Sequence, residues 1–119
     1  MKGTKTNRKG TSGNCGANVL IELRVVGAMS EEVLDANSDD VLEAVQKHAA
    51  DVALGPAIAL NLRNRAIKLR FDVIARNEAA IYRQIAKVME VIEKRTDLRL
   101  YSSRSFVDEV CEDEQLVAA

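Results

Sequence analysis

The side chains best suited to chemistry are few and lie far apart in this sequence. The chain of 119 residues has two cysteines, Cys15 and Cys111, and one histidine, His48. A histidine base needs a nucleophile and an orienting partner at a suitable spacing, and we find neither. The sequence has no glycine-rich phosphate-binding loop, because Gly10, Gly13 and Gly16 precede the first predicted strand instead of following one. The sequence therefore favours a non-enzymatic protein with no catalytic residue and no cofactor.

The possible metal ligands also lack a binding pattern. Acidic residues cluster at Glu31-Glu32, at Asp39-Asp40 and at residues 112–114, but none of these clusters has the spacing of a calcium loop. We interpret them as solvated surface acids and predict no metal site. His48 falls on the apolar stripe of a predicted helix, which indicates a partly buried, hydrogen-bonded histidine.

The two cysteines favour a reducing environment. Both lie outside the predicted core, so we interpret Cys15 and Cys111 as ordinary thiols, with a redox pair as the alternative. A small secreted scaffold would need more cysteines than two. The sequence therefore predicts a cytoplasmic location.

Composition indicates one globular domain with no strong attraction to a polyanion. The chain is 47% hydrophobic and 29% charged, and its formal net charge is −1. No apolar run reaches the roughly 18 residues that cross a bilayer, so no membrane partner is expected. We predict a flexible basic tail over residues 1–18, a single domain over residues 19–103 and an acidic tail over residues 104–119.

Four alternating segments and two helical stripes define the predicted elements. Residues 19–27 alternate as a half-buried strand, and residues 98–101 form a short last strand. A first helix starts at a cap on Asn37 or Ser38 and stops at Leu54, because a glycine and a proline follow. A second helix covers residues 78–95 and is capped by Asn77.

The middle of the chain predicts a β-hairpin. A two-residue loop at Asn64-Arg65 places three apolar pairs on one sheet face. The pairs are Leu62 with Ile67, Leu60 with Leu69, and Ile58 with Phe71.

The element order is βαββαβ, and every strand and helix has one apolar face. A four-stranded antiparallel sheet with two helices on one face buries all of these faces together. We therefore predict an α+β fold of the ferredoxin-like split βαβ type, with strand order 4-1-3-2. The alternative is a more open α+β sheet in which the C-terminal segment adds a fifth strand.

The sheet face opposite the helices is the predicted binding surface. By alternation it carries five cations against two anions, which makes it locally basic although the chain is not. Central aromatic residues for base stacking are missing, so nucleic acid is an unlikely partner. The alternative is a solvated face whose charges neutralise each other across strands, such as Glu22 with Arg70. The predicted binding residues are Arg24, Arg63, Lys68, Arg70, Arg99 and Tyr101.

These features predict a small binding or assembly module that forms a homodimer through the open sheet face or a sheet edge. Leu20, Val26, Ile74 and Tyr101 leave apolar surface on that face. An acidic protein is a possible partner, and the acidic segment 108–114 is hypothesised to fold back over the basic sheet. The alternative function is a small-molecule-sensing regulatory domain with its ligand at the connection over residues 28–38. An enzyme whose site has no recognisable pattern is the third possibility.

Overall fold

The computed structural model describes residues 15–26 and 30–111. Four strands form one antiparallel sheet in the order β2-β3-β1-β4, and two helices pack on one of its faces. The predicted ferredoxin-like α+β fold and strand order are confirmed. The elements are β1 (Cys15–Val25), α1 (Glu31–His48), β2 (Leu54–Asn61), β3 (Ala66–Ala75), α2 (Glu78–Arg95) and β4 (Leu100–Cys111).

Alternation in the central strands builds the core. In β1, Val19, Ile21 and Leu23 are fully buried, whereas their neighbours are partly or fully exposed. In β3, Leu69 and Phe71 lie directly opposite Ile21 and Val19. These apolar pairs lie on the helix-covered face, so burial of apolar surface fixes which face of each strand points inward.

The second helix follows its sequence signals. The side chain of Asn77 accepts a hydrogen bond of 2.8 Å from the Ala80 N–H, which caps α2 as predicted. Ile81, Ile85 and Val88 form the buried stripe of this helix. The predicted bounds of α2 are confirmed.

The first helix differs from the prediction at both ends. Ser30 caps α1 by accepting a hydrogen bond of 3.2 Å from the Val33 N–H, so the predicted cap at Asn37 or Ser38 is wrong. Ser38 is buried within the helix, and its hydroxyl donates to the Asp35 carbonyl oxygen at 2.6 Å. The helix ends at His48 instead of Leu54. His48 is consequently exposed in the last turn, and its predicted partial burial is also wrong.

The hairpin register differs from the prediction by two residues. Leu60 lies opposite Ile67 and Ile58 lies opposite Leu69, so residues 62–65 form a four-residue loop. A shift of two residues leaves every side chain on its original face, and the core is unchanged. Arg65 occupies the left-handed region with φ 51°, and the Asn61 side chain accepts from the Asn64 N–H at 3.2 Å.

The outer ends of the sheet extend past both predicted domain limits. β1 begins at Cys15 and β4 continues to Cys111, so the C-terminal segment lengthens the fourth strand instead of adding a fifth. The two cysteines lie directly opposite each other and are joined by a disulfide. Their interpretation as separate thiols is therefore wrong. The remaining parts of the predicted tails, residues 1–14 and 112–119, lie outside the described residues.

Candidate binding surface

The sheet face away from the helices, here called the open face, is formed by alternate residues of all four strands. Its registers place side chains in rows across the sheet, such as Arg70, Leu20 and Phe106. The open face comprises Ala57, Ala59 and Asn61 from β2; Ala66, Lys68, Arg70, Asp72 and Ile74 from β3; Gly16, Asn18, Leu20, Glu22 and Arg24 from β1; and Arg104, Phe106, Asp108 and Val110 from β4.

The strands of the open face carry a smaller excess of positive charge than the sequence predicts. Arg63 lies in the β2–β3 loop and Arg99 precedes β4, whereas Arg104 and Asp108 lie on the face. The four strands thus present the cations Arg24, Lys68, Arg70 and Arg104 against the anions Glu22, Asp72 and Asp108. Within the described residues none of these seven takes part in an ion pair within 4.0 Å. Glu22 faces Lys68 on one side and Arg104 on the other, while its predicted partner Arg70 lies opposite Leu20.

The acidic segment does not fold over the sheet within the described residues. Asp108 to Cys111 belong to β4, and Asp108 lies beside Asn18 on the open face. The Asn18 side chain donates to Asp72 at 3.0 Å, on the other side of β1. The hypothesis that residues 108–114 cover the basic sheet is therefore wrong for residues 108–111.

Three of the predicted binding residues come together at one end of the sheet. Arg24, Arg63 and Tyr101 line a shallow cavity of about 210 Å³ together with Arg65, and we call this group the arginine cleft. The Arg24 guanidinium carbon lies 5.8 Å from the centre of the Tyr101 ring. Among the described residues no carboxylate lines the cavity. The sequence analysis did not include Arg65 among the binding residues, because a loop residue follows no alternating pattern that would assign it to a face.

The other three predicted binding residues lie apart from the arginine cleft. Lys68 and Arg70 stand near the middle of β3. Arg99 precedes β4, and its carbonyl oxygen accepts a hydrogen bond of 2.8 Å from the Val26 N–H. The structure therefore places three of the predicted binding residues in the cleft, two at the centre of the open face, and Arg99 next to Val26 at the border of the cleft.

Exposed apolar side chains concentrate at the disulfide end of the open face. Ile74 and Val110 are 65% and 71% exposed, and they flank Gly16 in a single row. A Cβ built at Gly16 meets only the Val73 carbonyl oxygen, at 3.9 Å, so local packing does not require glycine there. Phe106, two rows away, is 46% exposed beside Leu20. The sequence prediction missed Phe106 and Val110 because it placed both in the acidic tail.

The two edges of the sheet are protected to very different degrees. On β2, Gly55 has φ 59°, Pro56 follows, and the pairing with β3 shifts register between Leu54 and Ala57. On the opposite edge, β4 is 12 residues long and contains neither proline nor glycine. Proline, bulges and short length are among the features that keep an edge strand from pairing with another chain. β4 has none of these three along most of its length, although it carries the charged residues Arg104, Asp108 and Glu109.

The helix-facing side of β4 carries a carboxyl pair. The pKa of Glu109 is raised, chiefly by a hydrogen bond with the Glu78 side chain, and burial and the charge of Glu78 add to the shift. The charge of Glu109 in turn raises the pKa of Tyr82. A carboxyl group whose pKa is higher in the folded state than in the unfolded state binds its proton more tightly when the protein is folded. Its contribution to the free energy of unfolding is present below the unfolded-state pKa and is lost as the pH rises through the folded-state pKa. We therefore expect the fold to become less stable as the pH rises through the pKa of Glu109.

A second cavity, of about 340 Å³, lies between the helices. His48, Lys47 and Arg95 line it together with acidic side chains, and Lys47 pairs with Glu43 at 2.8 Å. In the described part of the chain no group of three or more histidine, cysteine or acidic residues is arranged to hold a metal ion. Among the same residues no helix is both long and apolar enough to span a membrane.

Comparison with known proteins gives only distant structural likenesses. No protein-family model and no curated protein matches the chain. One similar solved structure is a de novo designed protein named Foldit4, at 15% identity, with 84% of this chain and 99% of that chain covered and a TM-score of 0.43. Another is a structural-genomics protein named YJCS, at 12% identity, with 76% and 96% covered and a TM-score of 0.44. Likenesses this distant carry no argument about function.

Proposed function

We propose that this protein is a non-enzymatic assembly module that forms a homodimer through the outer edge of β4. The observation that carries the proposal is the length and lack of protection of this strand, which has 12 residues and no proline or glycine. Every second backbone N–H and C=O along such an edge points outward without a strand to pair with. Two β4 strands paired about a two-fold axis would satisfy these groups and join two sheets into one of eight strands.

The side chains near the β4 edge support the same proposal. Phe106 and Val110 expose apolar surface, while Arg104 and Asp108 supply charges of opposite sign. A uniform row of lysines would repel a second copy, but a mixed row does not. The β2 edge is the less suitable one because Pro56 lacks a backbone donor.

The disulfide bears on where such a module would work. Bridges between cysteines persist in oxidising compartments and are rare in the reducing cytoplasm. The bond between Cys15 and Cys111 therefore argues against the cytoplasmic location that the cysteine count favours.

Pairing through the β4 edge predicts a solution mass that rises with protein concentration. It also predicts slower hydrogen exchange in β4. We expect sedimentation velocity on the full chain to show a shift from monomer to dimer as concentration rises. At the higher concentration, amides of residues 100–111 should exchange at least several-fold more slowly, because new interstrand hydrogen bonds protect them. The β2 edge, residues 54–61, provides the internal control and should not change. A monomer at every concentration, or protection confined to β2, would contradict the proposal.

The arginine cleft favours a second candidate function, the binding of a small anion. Arg24, Arg63 and Arg65 all line one cavity, and within the described part of the chain no carboxylate lines it. Guanidinium groups donate paired hydrogen bonds that match carboxylate and phosphate oxygens. The cavity also borders Val26, where the chain leaves β1 towards the connection that the sensing alternative assigns to a ligand. An acidic side chain of a protein partner would offer the same carboxylate chemistry.

Thermal unfolding with inorganic phosphate tests the anion site. The melting temperature should rise with the logarithm of phosphate concentration above the dissociation constant. Arg63→Gln should reduce this rise, whereas Arg70→Gln, which removes an arginine from the middle of the open face, should leave it unchanged. If both variants respond as the wild type does, or if sodium chloride at equal ionic strength has the same effect, the cleft is not a phosphate site.

A further inference from the structure

We infer that two copies pair through β4 with Phe106 on the two-fold axis, which places Arg104 of each copy opposite Asp108 of the other. This inference rests on the proposed function and specifies its geometry. In an antiparallel pair of identical strands, a residue on the axis faces its own copy, and residues equally far on either side face each other. Arg104 and Asp108 lie two residues before and two residues after Phe106.

The three residues share one surface and are all exposed. Arg104, Phe106 and Asp108 alternate along β4, so all three side chains stand on the open face. The Arg104 guanidinium carbon already lies 5.2 Å from the centre of its own Phe106 ring. A second copy would add a partner carboxylate to this guanidinium and a second aromatic ring to Phe106, and such cross-strand pairs stabilise sheets.

Neighbouring registers are less favourable for the same charges. An axis on Arg104 or on Asp108 places two like charges directly opposite each other, which destabilises a strand pair. An axis on Ser105 places Arg104 opposite Phe106, and an axis on Val107 places Asp108 opposite Phe106. Of these five positions, the axis at Phe106 alone forms two opposite-charge pairs. Phe106 also lies close to the middle of β4, so this register uses nearly the whole strand.

Charge reversal followed by mixing tests the register. In a dimer of Arg104→Asp, the acid at position 104 of each copy lies opposite Asp108 of the other, so both pairs become acid against acid. In a dimer of Asp108→Arg, both pairs become cation against cation. We expect each single variant to dimerise about tenfold more weakly than the wild type, since two pairs change sign. An equimolar mixture restores both opposite-charge pairs. Native mass spectrometry should therefore show heterodimer well above the half expected from random pairing.

The control is Arg83→Asp, which makes the same change of charge on the exposed side of α2. It should leave dimerisation unchanged, and a loss equal to that of Arg104→Asp would show that net charge, not the register, weakens the dimer. A wild type that stays monomeric at every concentration would overturn the proposed function itself. A wild-type dimer whose charge-reversal variants mix at random would overturn the register and leave edge assembly standing.

Discussion

Replacing both bridged cysteines with serine should lower the free energy of unfolding by about 2–4 kcal/mol. The bond joins Cys15 to Cys111, which are 96 residues apart in sequence, so it spans almost the whole folded domain. A crosslink that closes a long loop restricts the unfolded chain and thereby favours the folded one. The double variant C15S/C111S removes this restriction and leaves two small polar side chains in place of the bond.

The effect should be largest at the end of β4, where the bond joins this strand directly to β1. Its ladder with β1 is extensive, but the helices make at most marginal contact with it. On its helix-facing side, Ser103 and Ser105 are exposed and bury no apolar surface. Loss of the bond should therefore fray the strand that forms the proposed dimer edge, and weaken dimerisation as well as stability.

Urea unfolding measured with and without a reducing agent checks this prediction. Wild-type protein should lose stability on reduction, whereas C15S/C111S should be equally stable with and without the reductant. Working at a concentration where the wild type is monomeric separates folding from assembly. If the reduced wild type and the double variant both unfold at the urea concentration of the oxidised protein, the bridge does not stabilise the fold.

Phe71→Ala should destabilise the domain by about 3–5 kcal/mol, the range found when a buried phenylalanine is truncated. Phe71 is 1% exposed, lies on the central strand β3 opposite Val19, and is the largest of the fully buried side chains in the described residues. Removal of its ring leaves a cavity that the surrounding aliphatic side chains cannot fill without moving. The loss combines the transfer free energy of the ring with the cost of that cavity.

Ile74→Ala on the same strand is the matched control. Its side chain is 65% exposed on the open face, so truncation should change stability by less than about 0.5 kcal/mol. Phe71→Leu should fall between the two, because it keeps most of the apolar volume. Chemical denaturation of the three variants under one set of conditions gives the comparison. Similar losses for Phe71→Ala and Ile74→Ala would mean that the core is not centred on Phe71.

About half of the candidate site was predictable from sequence. Arg24 and Tyr101 occupy the open side as alternation predicts, and Arg63 joins them through the loop that follows β2. The β4 edge was missed because two successive inner positions in the middle of the strand, Ser103 and Ser105, are polar and exposed, whereas Leu100 and Val107 pack against the core. The two serines interrupt the alternation that identifies a strand.

The sequence by itself determined the parts of the fold that bury apolar surface. The alternating residues of β1 and β3 and the apolar stripe of α2 determined which face of each element points to the core. Only one orientation of each element buries all of its apolar side chains. The tertiary structure alone decided the hairpin register, because a shift of two residues buries the same faces. It also decided the pairing of Cys15 with Cys111 and the exposed edge of β4, because both depend on which strands become neighbours. Those contacts join residues from opposite ends of the chain, and no local pattern records them.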